Sequence, residues 1–372
     1  MAPPLLEELV EECLLRFPPD EPASLVRAAL VASSASSGSA SSPTAAAAAA
    51  DSAAGSFFAG SSFVPTSPSF RPPNADRHGL RAVHSGHGRV LLHGLHHTGD
   101  DAARPDQLVV WDPITDEQRE LPFGPMPFPL SWDAAVLCAA GDHGCNHLGC
   151  HRGPFLVVFL GAELDKIFSC VYSSEADMWS EPIYTQGSCN FELGNSLLLG
   201  SALYFKLSKR SYFRRFLLKY DLLTQEMSEI HLPAQGAQQH IVLMPTEDGR
   251  LGFVRAHWSS VHKHILWLWS RKDGPNEGAI WACDSVFFLH WLKDDVASKV
   301  QVSGFAGNGA RGVVFFDTGD GFFTIDLNSR KSKRVGESTG FSPIVVPYVS
   351  FCTPALQAAS AAVGPSPSAS SA

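Results

Sequence analysis

The chain has 372 residues, of which 45% are hydrophobic, and 37 acidic side chains outnumber 28 basic ones to give a formal net charge of −9. This length allows one large domain of roughly 290 residues with its own core. The acidic balance argues against binding to a nucleic-acid backbone, and no apolar run reaches the roughly 18 residues that a helix needs to cross a bilayer.

The first 31 residues predict two short amphipathic helices. Apolar side chains recur at helical spacing at Leu6, Leu9, Val10, Cys13, Leu14 and Phe17. Pro18 and Pro19 end the first helix, and Asp20 is a suitable N-cap for a second helix that carries Leu25, Val26, Ala29 and Leu30. Because two short helices cannot bury their own apolar faces, we expect them to pack against a third helix or a partner.

The order of residues in these helices resembles the first two-thirds of an F-box, especially in the large F-box families of grasses. The matching segments are 4–10, 14–20 and 23–28. An F-box is a three-helix module that docks on the Skp-type adaptor of cullin-RING ubiquitin ligases. The resemblance implies that the adaptor would be contacted by Leu5, Leu6, Leu9, Leu14, Leu15, Pro18, Leu25 and Val26.

The next segment departs from the F-box pattern. The family continues with a third helix of the Cys-Lys-x-Trp type, whereas residues 32–56 are rich in Ala and Ser and carry no charge except Asp51. A segment with so little to bury cannot offset the entropy lost on ordering, so a disordered linker is predicted here. The F-box is therefore truncated after its second helix.

Residues 57–352 predict an all-β domain made of short apolar runs bounded by Gly, Pro, Asp or Asn. The predicted strands are 88–92, 107–112, 134–139, 155–160, 167–173, 196–199, 202–207, 216–221, 240–243, 251–256, 264–270, 286–289, 312–317, 321–326 and 344–349. Residues 353–372 return to Ala, Ser and Pro and predict a disordered tail.

A weak internal repeat divides this domain. An apolar strand ends in an aromatic residue or Ile, then a polar turn and a returning strand follow, at 108–122, 169–182, 217–233, 266–274 and 322–336. The aligned residues Trp111, Tyr172, Tyr220, Trp269 and Ile325 recur about every 50 to 60 positions, which is typical of four-stranded propeller blades. We expect a mainly β fold with a six-bladed β-propeller. Five or seven blades, a large sandwich or two smaller barrels are the alternatives.

The same region resembles the F-box-associated β-propeller of the grass proteins. The likeness covers residues 63–122 most fully and continues at 153–158 and 346–348. It implies partial F-box-like helices at 1–31, a linker at 32–56, the propeller at 57–352 and a tail at 353–372.

One cluster has the chemistry of a metal site. Its soft ligands are Cys138, His143, Cys145, His147, Cys150 and His151, and the four candidate zinc ligands are Cys145, His147, Cys150 and His151. Their spacing departs from that of a zinc knuckle, and a Gly-rich connection between two strands is the alternative interpretation. We expect no resident metal and no cofactor.

Two further patterns resemble ligand sites. His257, His262 and His264 include a pair on one face of a strand, with exposed hairpin histidines as the alternative. Gly307, Gly309 and Gly312 match the dinucleotide fingerprint. That fingerprint must open a helix to hold a pyrophosphate, whereas strands are predicted on both sides, so we expect a hairpin turn.

No short catalytic motif is found, and the resemblance implies a non-catalytic role. The chain would be the substrate receptor of a Skp-cullin-F-box ubiquitin ligase, with its helices on the adaptor and its propeller on an unknown protein target. Holding the target near the ligase raises its effective concentration. The alternatives are a propeller scaffold or degenerate paralogue without adaptor binding, and a propeller enzyme.

Compartment and other partners follow from the cysteines and the charge. Eight cysteines without a secretory signal indicate reduced thiols in the cytoplasm or nucleus. Neither nucleic acid nor a membrane is expected as a partner.

Overall fold

The computed structural model describes residues 27–33, 60–65, 76–94, 107–122, 129, 131–140, 150–192, 194, 196–209, 214–233, 240–259, 263–273, 279–292, 300–307, 309–318, 320–336 and 345–350. Their regular structure is almost entirely β-strand, with short 3-10 turns at Cys150–Arg152 and Gly309–Arg311. Within these residues no helix has the length and apolar character needed to cross a membrane. The mainly β prediction is confirmed.

Five consecutive sheets form the blades of a β-propeller. Before them come β1 (Arg27–Ser33), β2 (Gly60–Pro65) and β3 (Asp76–His78). Blade 1 contains β4 (Leu80–Gly86), β5 (Arg89–Gly94), β6 (Leu108–Trp111) and β7 (Gln118–Glu120). Blade 2 contains β8 (Ser131–Cys138), β9 (Phe155–Ala162), β10 (Lys166–Ser173), β11 (Met178–Trp179) and β12 (Ile183–Gln186).

The chain then builds the remaining blades in the same order. Blade 3 contains β13 (Cys189–Phe191), β14 (Leu197–Leu199), β15 (Ala202–Lys209), β16 (Arg215–Asp221) and β17 (Met227–His231). Blade 4 contains β18 (Ile241–Pro245), β19 (Leu251–Ser259), β20 (Lys263–Asp273) and β21 (Ala279–Phe288). Blade 5 contains β22 (Gln301–Ala306), β23 (Val313–Asp317), β24 (Phe322–Asp326) and β25 (Ser332–Gly336), and β26 (Val345–Ser350) follows.

A further sheet, which we name the closing sheet, joins the two ends of the described chain. Its strand order is β26-β1-β2-β3, and every pairing is antiparallel. Strand β26 contacts β22 of blade 5 and β4 of blade 1. The closing sheet therefore lies between the last blade and the first.

Apolar clusters fill the space between neighbouring blades. Val83 and Leu91 of blade 1 pack in one cluster with Val136 and Val157 of blade 2, and further clusters join the other neighbours. Central strands are therefore buried on both faces, as in Phe155–Ala162. This explains why they appear in the sequence as almost continuous apolar runs.

The predicted repeat corresponds to one position in each blade. Trp111, Tyr172, Tyr220, Trp269 and Ile325 are all buried, and each lies on the third strand of its blade. In blades 1, 2, 3 and 5 a hairpin and a returning strand follow, as predicted.

The hairpins share a local device that the sequence encodes. In blade 1 the Asp112 carboxylate accepts the backbone N–H of Ile114 at 2.8 Å, and Asp116 adopts a positive φ of 60°. Asp221 with Gln225, and Asp326 with Arg330, repeat this arrangement in blades 3 and 5. An Asp that hydrogen-bonds the backbone two or three residues on stabilises a turn, so this Asp stabilises the hairpin between the two outer strands of the blade.

Each predicted strand overlaps an observed one. The structure does not support the end of the expected second helix, because Ala29 and Leu30 lie in β1. In β1 the backbone hydrogen-bonds to β26 on one side and to β2 on the other, and this tertiary pairing overrides helix propensity. Residues 32–56, expected to link two domains, therefore begin inside a strand and separate two strands of one sheet. Residues 1–26 lie outside the described residues.

Candidate functional site at the propeller axis

A pocket lies where the inner strands of the blades end. Its volume is about 280 Å³, and all five blades and the closing sheet contribute to its lining. His84, Leu137 and Ser196 come from blades 1, 2 and 3, and Leu243, Phe305 and Val346 come from blade 4, blade 5 and the closing sheet. Because every blade contributes, the pocket lies on the propeller axis, and we name it the axial pocket.

The wall of the axial pocket is mostly apolar and uncharged. Leucine side chains and Pro245, Phe305 and Pro347 provide most of the surface, and His84, Ser85, His87 and Ser196 provide the polar side chains. Among its described lining residues there is no Asp, Glu, Lys or Arg. Such a wall favours an apolar group with a few neutral hydrogen-bonding atoms.

His84 is the most restrained polar side chain of the pocket. Its ring is 7% exposed, and its Nδ1 accepts the backbone N–H of Val136 at 3.2 Å. Burial, with a smaller contribution from the neighbouring His87, lowers the pKa of His84 to about 3. The ring is therefore neutral at physiological pH, and acceptance at Nδ1 places its proton on Nε2. His84 is thus a fixed neutral donor.

Close backbone packing supports this geometry. A Cβ on Gly86 would lie 2.7 Å from the Val136 carbonyl oxygen and 3.1 Å from the His84 ring, so only glycine fits there. Gly307, at the far side of the pocket, has a φ of 105°, and a Cβ on it would lie 2.8 Å from the Cα of Gly312. Glycines therefore form two parts of the rim.

Ser196 supplies a second polar group. It directly precedes β14, and its Oγ is buried and has no hydrogen-bond partner in the part of the chain that the structure describes. A buried hydroxyl without a partner is costly, and a ligand that pairs with it recovers this cost.

Charged side chains occupy the other end of the inner strands. Asp133, near the start of β8, is fully buried, and its Oδ1 accepts the backbone N–H of Ala134 at 2.8 Å. Burial raises the pKa of Asp133 to about 7, although the Ala134 N–H and the charges of Lys206 and Arg81 oppose the rise. Lys206 is buried as well, which lowers its pKa, and its Nζ donates to the Ile241 carbonyl at 3.4 Å.

Further charges surround this pair. Arg215 forms an ion pair with Glu192 in blade 3, and both carry charges that act on Lys206. His240, just before β18, has its pKa lowered by burial first and then by Arg215. We name Arg81, Asp133, Glu192, Lys206, Arg215 and His240 the charged cluster. It places opposite charges from neighbouring blades near one another, so these charges partly compensate each other.

A larger pocket, of about 570 Å³, lies between blades 1 and 2. Arg89, Arg119 and Arg152 line it together with Asp112, Glu117 and Glu175, so its charges balance. Arg89 donates to the Gly153 carbonyl and stacks 4.9 Å from the Phe155 ring centre, and Arg119 pairs with Asp177 at 3.0 Å. These contacts hold the two blades together, and we take the axial pocket as the candidate site because every blade contributes to its lining.

The structure describes few of the site residues predicted from sequence. The proposed adaptor contacts Leu5, Leu6, Leu9, Leu14, Leu15, Pro18, Leu25 and Val26 lie outside the described residues. So do Cys145 and His147. Cys150 and His151 lie in a 3-10 turn, where the buried Cys150 thiol donates to the His87 carbonyl at 3.7 Å. Within the described residues no three His, Cys, Asp or Glu side chains are grouped to hold a metal.

The positions of the strands decide between the alternatives for the histidine and glycine patterns. His264 is buried in β20 at 1% exposure, so the expectation of exposed hairpin histidines is wrong for this residue. His257 packs edge-on against Trp267, with ring centres 5.7 Å apart, and His262 lies outside the described residues. Gly307 and Gly309 have positive φ and connect β22 to β23, which confirms a turn rather than a nucleotide loop.

Sequence reasoning missed the axial residues. His84 and Asp133 are polar residues within mostly buried strands, and Lys206 interrupts the apolar run of β15. A polar residue inside a strand that is buried on both faces is the signal that marks them. Ser196 carries no such signal, because it stands in a connection where serine is ordinary.

Comparison with known proteins finds only distant structural similarity. No protein-family model and no curated protein matches the chain. Solved structures with distant similarity include a subtype N10 neuraminidase-like protein of A/little yellow-shouldered bat/Guatemala/060/2010. It is 12% identical, with a TM-score of 0.40 over 69% of this chain and 83% of that one.

Two other solved structures show the same kind of likeness. Hydrazine synthase of Kuenenia stuttgartiensis is 12% identical, with a TM-score of 0.40 over 73% of this chain and 71% of that one. A chain of the nidogen/laminin complex is 8% identical, with a TM-score of 0.41 over 87% and 98%. At this level of similarity none of them bears on what the chain binds.

Proposed function

We propose that the chain is a non-catalytic receptor that captures a protein target at the axial pocket. The observation that supports this proposal is a mostly apolar pocket whose described lining has no Asp, Glu, Lys or Arg, with a fixed donor at His84 and a buried hydroxyl at Ser196 that has no partner among the described residues. Propeller loops and inner strands bring six separate sheets to this one point. The closing sheet, between blades 5 and 1, adds Val346 and Pro347 of β26 to the same pocket.

The second half of the proposal concerns delivery of the target. The segment 4–28, which resembles an F-box, would attach the receptor to a Skp-type adaptor and its cullin, in the cytoplasm or nucleus. The ligase then acts on a target whose local concentration the receptor has raised. This half is supported by the resemblance of the sequence and not by geometry.

One observation favours a second candidate, a propeller scaffold that no longer binds the adaptor. Strand β1 begins at Arg27 and is paired on both sides, so the chain uses the end of the expected second helix to complete the closing sheet. The third helix has no counterpart in the sequence. Fewer residues then remain for adaptor docking than a full F-box offers.

Two binding experiments test the two halves separately. A random peptide library displayed on phage is selected on the immobilised full chain, and the selected peptides are re-tested on a Ser85→Phe variant whose added ring fills the axial pocket. We expect binding to fall at least tenfold, with a Ser228→Phe variant on the exposed strand β17 as the control. Peptides that bind both variants equally would contradict capture at the pocket.

Adaptor binding needs its own measurement. The purified full chain is tested for retention of a Skp-type adaptor, beside a version in which a third F-box helix replaces the start of the Ala/Ser-rich segment. Retention by the natural chain supports the ligase receptor. Retention by the repaired version alone would leave the scaffold as the function of this chain.

A further inference from the structure

We propose that the axial pocket takes the side chain of an unphosphorylated tyrosine, so that the receptor selects targets by this residue and phosphorylation of the tyrosine blocks capture. This inference rests on the proposed function and names the group that is recognised. It is argued from the size of the pocket, the hydrogen-bonding atoms on its wall and its lack of charge.

The size of the pocket and its apolar wall indicate which apolar group the ligand carries. A dry cavity of about 150 Å³ lined by aliphatic side chains is large enough to bind benzene. The axial pocket has about 280 Å³ and an apolar wall that includes Leu137, Leu198, Leu243 and Phe305. One aromatic ring with its connecting methylene fits this volume.

The polar atoms of the pocket wall indicate which hydrogen-bonding group the ligand carries. His84 Nδ1 is occupied by the Val136 N–H, so Nε2–H is the remaining polar atom of this ring, and it can only donate. The Ser196 hydroxyl can accept or donate, and it has no partner in the described part of the chain. A phenol hydroxyl accepts one hydrogen bond and donates another, so its hydrogen-bonding capacity matches a donor at His84 and a hydroxyl at Ser196.

Other side chains match less well. Phenylalanine and the aliphatic residues would leave the His84 and Ser196 groups without a partner after water is displaced. Tryptophan carries a donor only, which cannot pair with His84 Nε2–H. Carboxylate and ammonium groups find no Arg, Lys, Asp or Glu partner among the described lining residues.

The same absence of charge accounts for the regulatory half of the proposal. A phosphotyrosine carries a charge of about −1.5 to −2 and needs Arg or Lys partners. The described lining provides none, and the neutral state of His84 persists far below physiological pH, so this ring cannot supply a positive charge. Adding phosphate to the bound tyrosine therefore removes binding instead of strengthening it.

Ligand-observed saturation-transfer NMR on the full chain tests this inference. The probes are N-acetyl-tyrosinamide, the matching phenylalanine and phosphotyrosine amides, and p-cresol as a free phenol. We expect the tyrosine amide to bind two- to tenfold more tightly than the phenylalanine amide and the phosphotyrosine amide to give no signal. In Ser196→Ala the preference for tyrosine over phenylalanine should fall toward one, whereas the matched Ser228→Ala control should keep it.

The contradicting outcomes are equally specific. Equal binding of the phenylalanine amide, binding of the phosphotyrosine amide, or binding of p-cresol without the tyrosine amide would each overturn the inference, the last by indicating a small-molecule ligand. These results are separable from the proposed function. If phage selection returns peptides that need the axial pocket but lack tyrosine, target capture stands and tyrosine recognition fails.

Discussion

The two ends of the propeller axis both bury polar side chains, but they do so in opposite ways. At the charged cluster, Asp133 and Lys206 lie among opposite charges from neighbouring blades, and Lys206 also donates to the Ile241 carbonyl. The described lining of the axial pocket has no Asp, Glu, Lys or Arg, and Ser196 has no partner in the described part of the chain. The charged cluster places buried charges near opposite charges, although Asp133 Oδ2 has no hydrogen-bond partner in the described chain, whereas the axial pocket places His84 and Ser196 beside an open apolar volume.

The difference shows how to separate structural burial from functional burial in a propeller. Charges buried against each other hold blades together. Removing one of them leaves the other charge buried without compensation, which is destabilising. Neutral groups beside an open apolar volume cost less to leave unpaired and are therefore the ones available for recognition. The two ends should consequently respond in opposite directions to pH and to substitution.

The largest expected effect concerns His84 at the pocket end. Its pKa is near 6.5 in the unfolded chain and about 3 in the folded one, so the unfolded state takes up a proton first as pH falls. Stability from this residue is present above about pH 6.5 and is lost toward pH 3, by on the order of 3 kcal/mol between pH 7 and pH 4. Urea unfolding of the natural chain and His84→Phe across this range should show a flatter slope for the variant. An unchanged slope in His84→Phe would refute the assignment.

A slightly smaller effect with the opposite sign is expected from Asp133. Its pKa rises from 3.8 unfolded to about 7 folded, so between these values the folded state holds a proton that the unfolded state has released. Stability from this residue therefore falls as pH rises, by roughly 2–3 kcal/mol from pH 5 to pH 8. Unfolding of Asp133→Asn over that range should lack this fall. A variant that loses stability with pH as steeply as the natural chain would contradict the account.

Breaking the charge balance gives the third effect. Lys206→Met removes a positive charge that favours the ionised form of the buried Asp133. At pH 8 we expect the free energy of unfolding to fall by on the order of 2 kcal/mol. The double variant with Asp133→Asn should recover most of this loss, because no uncompensated charge then remains. Lys219→Met, on a half-exposed side chain of β16, is the control and should stay within about 0.5 kcal/mol. Additive losses in the double-mutant cycle would show that the two groups do not interact.

The smallest effect on stability is expected at Ser196. Removing a buried hydroxyl that has no partner in the described chain should change the unfolding free energy by less than about 0.5 kcal/mol, with a gain favoured over a loss. Thermal unfolding of Ser196→Ala beside Ser228→Ala measures this directly. A loss above about 1 kcal/mol would mean that the hydroxyl has a structural partner, and the pocket would then offer one group fewer to a ligand.

The sequence predicted the central strands well because they are buried on both faces. Runs such as Phe155–Ala162 carry a strong apolar signal, and the Asp after the third strand marks the hairpin. The returning strands were harder to place one by one, since Gln118–Glu120 and Ser332–Gly336 are polar and exposed. Strand β1 was missed because pairing with β26 is a contact between distant parts of the chain that no local pattern reports.

The candidate site was not predictable to the same degree. Its lining comes from six sheets, so no short motif contains it, and only His84, as a polar residue at a buried position of a strand, carries a local signal. Ser196 becomes recognisable once its Oγ is seen to be buried. A site assembled from the ends of separate blades forms only when the ring of blades closes. A single sequence does not report which blade ends then meet.

Hydrogen–deuterium exchange of the full chain, with and without a selected tyrosine-containing peptide, tests the central claim most directly. The account predicts added protection at residues 84–87, 196–198, 243–245 and 305–307, which line the axial pocket, and none around Asp133 and Lys206. Protection confined to the charged cluster or to the outer strands, with the axial pocket unchanged, would contradict it.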